Sequence, residues 1–206
     1  MQKTYTVDFL TKKREKNQGQ IAQYYVENNH PAIVKPEIWE AVRWEEQRRR
    51  EYMELHHIKA YSSDLANNPF ASKVICGECG EAFGRKKWRP RPGEYRSVWQ
   101  CNARYRVKGV MGCSNRHIDE STLEEIFVKA WNSLMENKDA CIAKWERMRK
   151  GKNPLLAYRA EQLIKYADMD VQKFDAEQMH RILECIVIFE MGKISVRYLD
   201  GTIVRF

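Results

Sequence analysis

The stretch Cys76-Gly77-Glu78-Cys79-Gly80 is the sharpest local motif in this chain of 206 residues, and it determines the predicted fold. Two cysteines separated by two residues can hold one metal ion from a tight turn, and the glycines let the backbone curl around the sulfurs. Because Zn²⁺ prefers four ligands in a tetrahedron, a second pair of ligands is required. We therefore predict one structural Zn²⁺ per chain, bound by Cys76, Cys79, Cys101 and Cys113.

Other roles for these cysteines stay open at the level of the sequence. They could be ordinary reduced thiols, and His117, four residues after Cys113, could replace Cys113 as the fourth ligand. A redox C-x-x-C motif normally sits in a βαβ setting, which the pattern does not show. The two remaining cysteines, Cys141 and Cys185, lie in apolar stretches, and we predict that they pack in the core.

The spacing of the ligands predicts a ribbon. There are 21 residues between Cys79 and Cys101, which leaves room for a β-hairpin that returns to the metal. A short hairpin cannot bury enough core by itself, so the metal would fix the bases of its strands. A two-stranded β-ribbon also fits the major groove of DNA, which gives a physical reason to place cations on it.

The positive charge of the chain is concentrated in this predicted ribbon. The whole chain has a formal net charge of +8, and residues 85–108 carry nine cations against the single acid Glu94, an excess equal to that of the whole chain. Aromatic side chains, among them Tyr95 and Trp99, are interleaved with the cations. A basic cluster of this density favours a polyanion such as nucleic acid, against the alternative of a solvated basic face. The predicted DNA-binding residues are Arg85, Lys86, Lys87, Trp88, Arg89, Arg91, Arg96, Arg104, Arg106 and Lys108.

Composition and hydropathy exclude several functional classes. Hydrophobic residues make up 43% of the chain, enough for a modest core. The longest apolar run, residues 185–189, is far shorter than the roughly 18 residues that a membrane span needs. The first eight residues contain no apolar signal segment. We expect no membrane partner and a cytoplasmic location, where cysteines more often bind metal than form disulfides.

The pattern of the chain predicts an α+β fold in three parts. Residues 1–58 form the first part, with strands and loops over residues 1–34, including strands at 4–7 and 21–26 and a basic loop at 12–19, and then a helix from Pro36 to about His57. Residues 59–72 are polar and turn-rich, and we interpret them as a linker. Residues 73–206 would form the zinc β-ribbon domain with embedded helices at about 119–170, a helix after Asp175 and a C-terminal β meander closed by Asp200-Gly201. Among the embedded helices, one pattern runs on from about Asp119 to Met148, and another helix runs from about Pro154 to Ala167.

Two stretches resemble the C-terminal, DNA-binding half of large serine recombinases. Residues 4–14 and 24–34, with the helix after Pro36, look like the end of the recombinase domain of that family. The run from Asn68-Pro69-Phe70 through the C-x-x-C-G motif, then Trp99-Gln100-Cys101 and residues 113–118, looks like its recombinase zinc β-ribbon domain. The Ile/Val-rich end of the chain also matches the family.

The resemblance implies a phage integrase or transposon recombinase, bacterial or phage-encoded, that acts in DNA integration and excision. In that family the ribbon and linker contact attachment-site DNA, and a helical coiled-coil arm contacts other recombinase subunits. The helices at about 119–170 would take the place of the arm, although they are short for one. The serine of the family's N-terminal catalytic domain has no counterpart here, so we expect a fragment that binds duplex DNA without cutting it, with no catalytic residue.

Two alternatives of other classes remain. One is a zinc-stabilised protein-interaction module, with Trp131, Leu134, Ile142 and Trp145 on the embedded helices as interface residues instead of core residues. The other is a zinc ribbon that binds RNA. An enzyme is disfavoured, because the histidines and acids form no recognisable acid–base arrangement and a four-cysteine zinc site has no open position.

Overall fold

The computed structural model of the protein describes residues 3–24, 31–60, 64–169 and 171–206. The strand predicted at 21–26 was wrong for residues 21–24, which form no strand, and its residues 25–26 lie outside these ranges. Residues 25–30 of the recombinase-like stretch and residues 61–63 of the predicted linker also lie outside them. The chain divides into two compact units, Met1–Pro36 and Glu37–Phe206. No helix in the described ranges is both long and apolar enough to cross a membrane. The boundaries predicted at residues 58 and 72 stay predictions.

The first unit contains a β-hairpin. Strand β1 (Thr4–Asp8) pairs antiparallel with β2 (Lys13–Lys16). The Asp8 carboxylate closes the connection by accepting hydrogen bonds from the Leu10 amide and the Thr11 hydroxyl, at 2.9 and 2.6 Å. The prediction of a loop at 12–19 was therefore wrong for Lys13–Lys16. This segment has four charged, exposed side chains, which give no local signal for a strand. It is a strand because its backbone pairs with that of β1.

The second unit contains the helices and most of the strands. Its elements are α1 (Pro36–Leu55), β3 (Val74–Cys76), β4 (Phe83–Trp88), β5 (Arg96–Cys101), β6 (Ile118–Asp119), α2 (Glu120–Met135), α3 (Lys138–Arg149), α4 (Pro154–Ala167), α5 (Ala176–Ile182), β7 (Leu183–Ile188), β8 (Ile194–Tyr198) and β9 (Ile203–Arg205). The predicted α+β class is confirmed. The helical pattern that ran on from residue 119 is split between α2 and α3, with a break around Asn137.

Two sheets organise this unit. Strands β4, β5 and β6 form an antiparallel sheet, which is the ribbon. Strands β7, β8 and β9 form the predicted meander, and β3 pairs parallel with β7 at its edge. The parallel partner was not predicted, because the whole ribbon and four helices separate β3 from β7 in the chain. A parallel pair needs such a crossover, which here brings the first cysteine to the C-terminal sheet.

The helices pack into a common core. Helix α2 buries Leu123, Phe127 and Trp131 at the spacing of one helix face, and the Trp131 ring stacks on that of Trp145 from α3 with centroids 6.2 Å apart. Helix α4 is capped by the Asn153 side chain, which accepts from the Leu156 amide, and begins at Pro154 as the sequence predicts. The core also contains Phe70, which is fully buried.

Candidate metal centre and nucleic-acid interface

The first cysteine pair lies in a turn at the end of β3. Cys76 is the last residue of that strand, and its amide donates to the Glu81 carbonyl at 2.9 Å. The Gly80 amide donates to the Cys76 carbonyl at 3.0 Å, and Gly80 has a positive φ of 76°, a conformation that a glycine adopts without strain. Cys79 is thereby turned back toward Cys76, and we call residues 76–80 the knuckle.

The structure brings together the four cysteines predicted as ligands. Their Sγ atoms lie within 4.8 Å of one another. Cys76 and Cys113 are 3.7 Å apart, and Cys79 and Cys101 are 3.4 Å apart. A disulfide would need about 2.05 Å. Tetrahedral Zn²⁺ with bonds of about 2.3 Å would separate its sulfurs by about 3.8 Å. The four thiols therefore fit a tetrahedral zinc site.

The surroundings of the thiols differ from one to the next. Burial opposes the charged thiolate of Cys76, but hydrogen bonds from Asn115 and from the backbone of the knuckle outweigh it, so the pKa of Cys76 is lowered. Partial desolvation raises the pKa of the Cys79 thiol, which is exposed, to about 11, and burial raises the pKa of Cys101. Thiols whose pKa is raised in this way need a nearby cation to stay deprotonated.

His117 does not join this group. Its ring packs on Trp88, with centroids 4.3 Å apart, and the metal-ligating cluster found in the described residues consists of the four cysteines. Of the other two cysteines, Cys185 is buried and Cys141 is half-buried against the core.

The end of α1 supports the knuckle from outside. The His56 ring contacts the Gly80 carbonyl through Nδ1 at 2.6 Å, and the Ala82 amide donates to the His56 carbonyl at 3.2 Å. Glu81, which is 5% exposed, pairs with His57 at 3.0 Å and with Arg106 at 2.5 Å. These two histidines were not predicted as part of the site, because they form no sequence motif with the cysteines.

The basic cluster is divided between the two ends of the ribbon. Phe83 pairs with Cys101 at the metal end, and Trp88 pairs with Arg96 at the other end, which we call the tip. Five strand steps of about 3.3 Å separate these pairs by about 17 Å. Besides Arg96, the cations toward the tip are Lys86, Lys87, Arg89 and Arg91, which we call the tip set. The cations after Cys101 are Arg104, Arg106 and Lys108, which we call the metal-end set.

Several arginines of the cluster are held by partners within the domain. Arg85 makes a two-pronged ion pair with Glu120 at 2.5 Å, and Arg96 pairs with Asp119. Arg106 pairs with Glu81, as described above. Arg104 donates to the carbonyls of Ser114 and Asn115, at 2.9 and 2.7 Å. Acids outside residues 85–108 therefore offset three of the nine cations that the sequence analysis counted.

The tip set is exposed. Lys86, Lys87 and Arg91 have exposed side chains, and none of the three forms an ion pair with a described residue. Arg89 donates to the Tyr95 hydroxyl at 2.6 Å and lies 4.8 Å above the Tyr95 ring, which ties the two sides of the tip together. Trp88 is 37% exposed beside them. These side chains leave most of their positive charge open to solvent.

Comparison with known proteins supports the identity of the ribbon. Residues 69–132 match the family model of the recombinase zinc beta ribbon domain, and this range includes all four cysteines and the tip. The predicted recombinase zinc β-ribbon is thereby confirmed for this segment. No curated protein gives a significant match. A similar solved structure is described as a crystal structure of an LSR–DNA complex, in which LSR stands for large serine recombinase. It is 16% identical in sequence, with a TM-score of 0.43. The match covers 84% of this chain and 67% of that chain.

Proposed function

We propose that this chain is a DNA-binding part of a site-specific serine recombinase and that the tip of its zinc ribbon holds attachment-site DNA. The observation that carries the proposal is the exposed tip set, at the end of a ribbon whose other end joins the four cysteines. The match of residues 69–132 to the recombinase zinc beta ribbon domain supports this class of protein. Zn²⁺ on the four cysteines would have a structural role, because four thiolates leave no open position for a substrate.

The arrangement of the tip suits a duplex. Lys86 and Lys87 are neighbours on β4, so their side chains point to opposite faces of the ribbon. A ribbon that enters the major groove lies between two phosphate backbones, and cations on both of its faces can reach both backbones. Arg89, fixed by Tyr95, and the exposed Trp88 ring lie between these lysines and the turn of the tip. Backbone contacts would position the ribbon, and contacts to base edges would supply specificity.

Binding to labelled duplexes tests this function. The zinc-loaded chain should prefer an attachment-site half from its own mobile element over a random duplex of equal length, and structured RNA should compete poorly. Arg91→Ala and Arg89→Ala should each weaken binding by about threefold to tenfold, on the order of 1 kcal/mol for a phosphate contact. Arg149→Ala, which changes an exposed arginine on α3, is the matched control.

Equal affinity for the attachment-site half and the random duplex would contradict specific recognition. Stronger competition by RNA would favour the RNA-binding alternative. We further propose that the chain binds without cutting, so that supercoiled plasmid carrying the site stays intact in its presence. Appearance of nicked plasmid at chain concentrations that saturate the site would contradict this.

Contact with other recombinase subunits through the helices at 119–170 stays a proposal drawn from the family resemblance. Trp131, Leu134 and Trp145 are buried within this chain, so such a contact would use other side chains. On α4, Leu156 and Tyr158 are exposed. Sedimentation of the chain over a range of concentrations should then show self-association that Tyr158→Ala weakens, and a monomer throughout would contradict the contact.

A further inference from the structure

The turn between β7 and β8 lies against the knuckle. The Gly77 amide donates to the Ile188 carbonyl at 2.7 Å, and the Glu190 amide donates to the Glu78 carboxylate at 2.9 Å. The Phe189 ring covers Gly77 so closely that a Cβ at Gly77 would clash with the ring. Residues 188–190, which we call the clasp, therefore hold the middle of the knuckle by one backbone carbonyl, one backbone amide and one aromatic ring.

Asn115 connects the clasp to a metal ligand. Its side chain is fully buried, and its Nδ2 donates to the Cys76 Sγ at 3.2 Å and to the Ile188 carbonyl at 2.7 Å. A carbonyl oxygen only accepts hydrogen bonds, and a metal-bound thiolate does the same. Both partners therefore require the amide nitrogen, which fixes the orientation of the amide group. The Asn115 Oδ1 is buried without a hydrogen-bond partner, which costs free energy. The two hydrogen bonds from Nδ2 to Cys76 and Ile188 are therefore the favourable polar contacts of this side chain.

The clasp comes from a distant part of the sequence. The segment that matches the recombinase zinc ribbon ends at residue 132, whereas the clasp follows β7, after four helices. The clasp reaches the knuckle because β7 pairs parallel with β3 and Cys76 stands opposite Ile188 in that register. The ladder between these two strands therefore carries both the first ligand and the residues that cover it.

We propose that Asn115 and the clasp are positioning residues of the metal centre, which hold Cys76 and the knuckle in the geometry that retains the metal. The inference rests on the proposed zinc site. Groups that hydrogen-bond to metal ligands orient them, and their removal typically weakens metal affinity by about 10–100-fold. Here the Asn115 amide donates a hydrogen bond to the Cys76 sulfur, and the Phe189 ring covers Gly77. Metal escape requires both contacts to open.

Release of zinc from the full chain to a coloured chelator tests the proposal. Asn115→Ala should release zinc about 10-fold faster than the native chain, and Asn115→Asp faster still, because a carboxylate would face the thiolate and the Ile188 carbonyl. Phe189→Ala should also speed release, without changing a hydrogen-bonding side chain. Asn132→Ala is the matched control, because that amide donates to the Val171 carbonyl at 3.1 Å, away from the cysteines, and it should release zinc at the native rate.

A spectroscopic readout separates positioning from loss of fold. With Co²⁺ in place of zinc, Asn115→Ala should shift the thiolate-to-metal charge-transfer band, and Asn132→Ala should leave it unchanged. If the native chain holds zinc tightly and both Asn115→Ala and Phe189→Ala release it within about twofold of the native rate, the role of Asn115 and the clasp is overturned, while the zinc site stands. A native chain that retains no zinc would overturn the metal site and the clasp together.

Discussion

The two ends of the ribbon are built in opposite ways. At the metal end, Cys101 is buried, the knuckle is held by α1 and by the turn after β7, and Arg106 is paired with Glu81. At the tip, the cations are exposed, and the bond from Arg89 to Tyr95 joins the two sides. The difference shows that charge density along a sequence does not measure the charge that a partner can reach. We expect the metal end to supply stability and the tip to supply binding.

The largest effect is expected at the metal end. Cys101→Ser should reduce bound zinc from about one per chain to near zero, since a hydroxyl is a poor zinc ligand at neutral pH. Structural zinc contributes about 10–16 kcal/mol in zinc-finger peptides, so the ribbon should lose its cooperative thermal transition. Zinc content and thermal denaturation are the measurements. Cys141→Ser is the control, because that half-buried thiol is not among the clustered cysteines. Full zinc content in Cys101→Ser would contradict the assigned ligand set.

A smaller effect on stability is expected in the middle of the ribbon. Arg85→Ala would leave the Glu120 carboxylate, whose side chain is 15% exposed, with only the Trp99 indole N–H as a described donor. A partly buried charge that loses its partner costs about 1–3 kcal/mol. Urea denaturation should show this loss. Lys87→Ala, on the same face of β4 but exposed, should change stability by less than about 0.5 kcal/mol. Equal stability of the two variants would contradict a structural role for Arg85.

The smallest effect is expected from the contact that joins the two sides of the tip. Tyr95→Phe keeps the ring under Arg89 but removes the hydroxyl that accepts its hydrogen bond. Arg89 keeps its charge and loses its fixed orientation, so affinity for duplex DNA should fall by only about twofold, less than for Arg89→Ala. Fluorescence anisotropy would measure this change, with unchanged zinc content as the control. A loss as large as that from Arg89→Ala would show that the hydroxyl itself contacts DNA.

The sequence predicted those parts of the fold that depend on local pattern. The C-x-x-C-G turn, the helix that begins at Pro154 and the closing turn at Asp200-Gly201 carry strong local signals, and the structure contains each of them. Asp200 also accepts hydrogen bonds from Lys144 and Trp145, a second role that turn propensity does not reveal. The strand Lys13–Lys16 was missed because its charged side chains contain no apolar alternation.

The parts of the site that were missed depend on contacts between distant residues. Arg85 is 35 residues from Glu120, and Asn115 is 73 residues from Ile188, so no local pattern joins either pair. The sequence analysis therefore counted Arg85, Arg96 and Arg106 as DNA-binding, a role that stays a prediction. In the structure each of them forms an ion pair with an acid of the domain. Strand register decides which charges meet, and register becomes visible only in three dimensions.

The salt dependence of duplex binding tests the central claim most directly. The plot of log K against log salt has a negative slope, and each lost phosphate contact reduces the magnitude of that slope by about 0.9. Replacement of the whole tip set by glutamine should therefore reduce the magnitude by about 3 to 4, and replacement of the metal-end set should reduce it by less than about one. Zinc content and thermal denaturation show that each variant is folded. A larger change from the metal-end set than from the tip set would contradict the account.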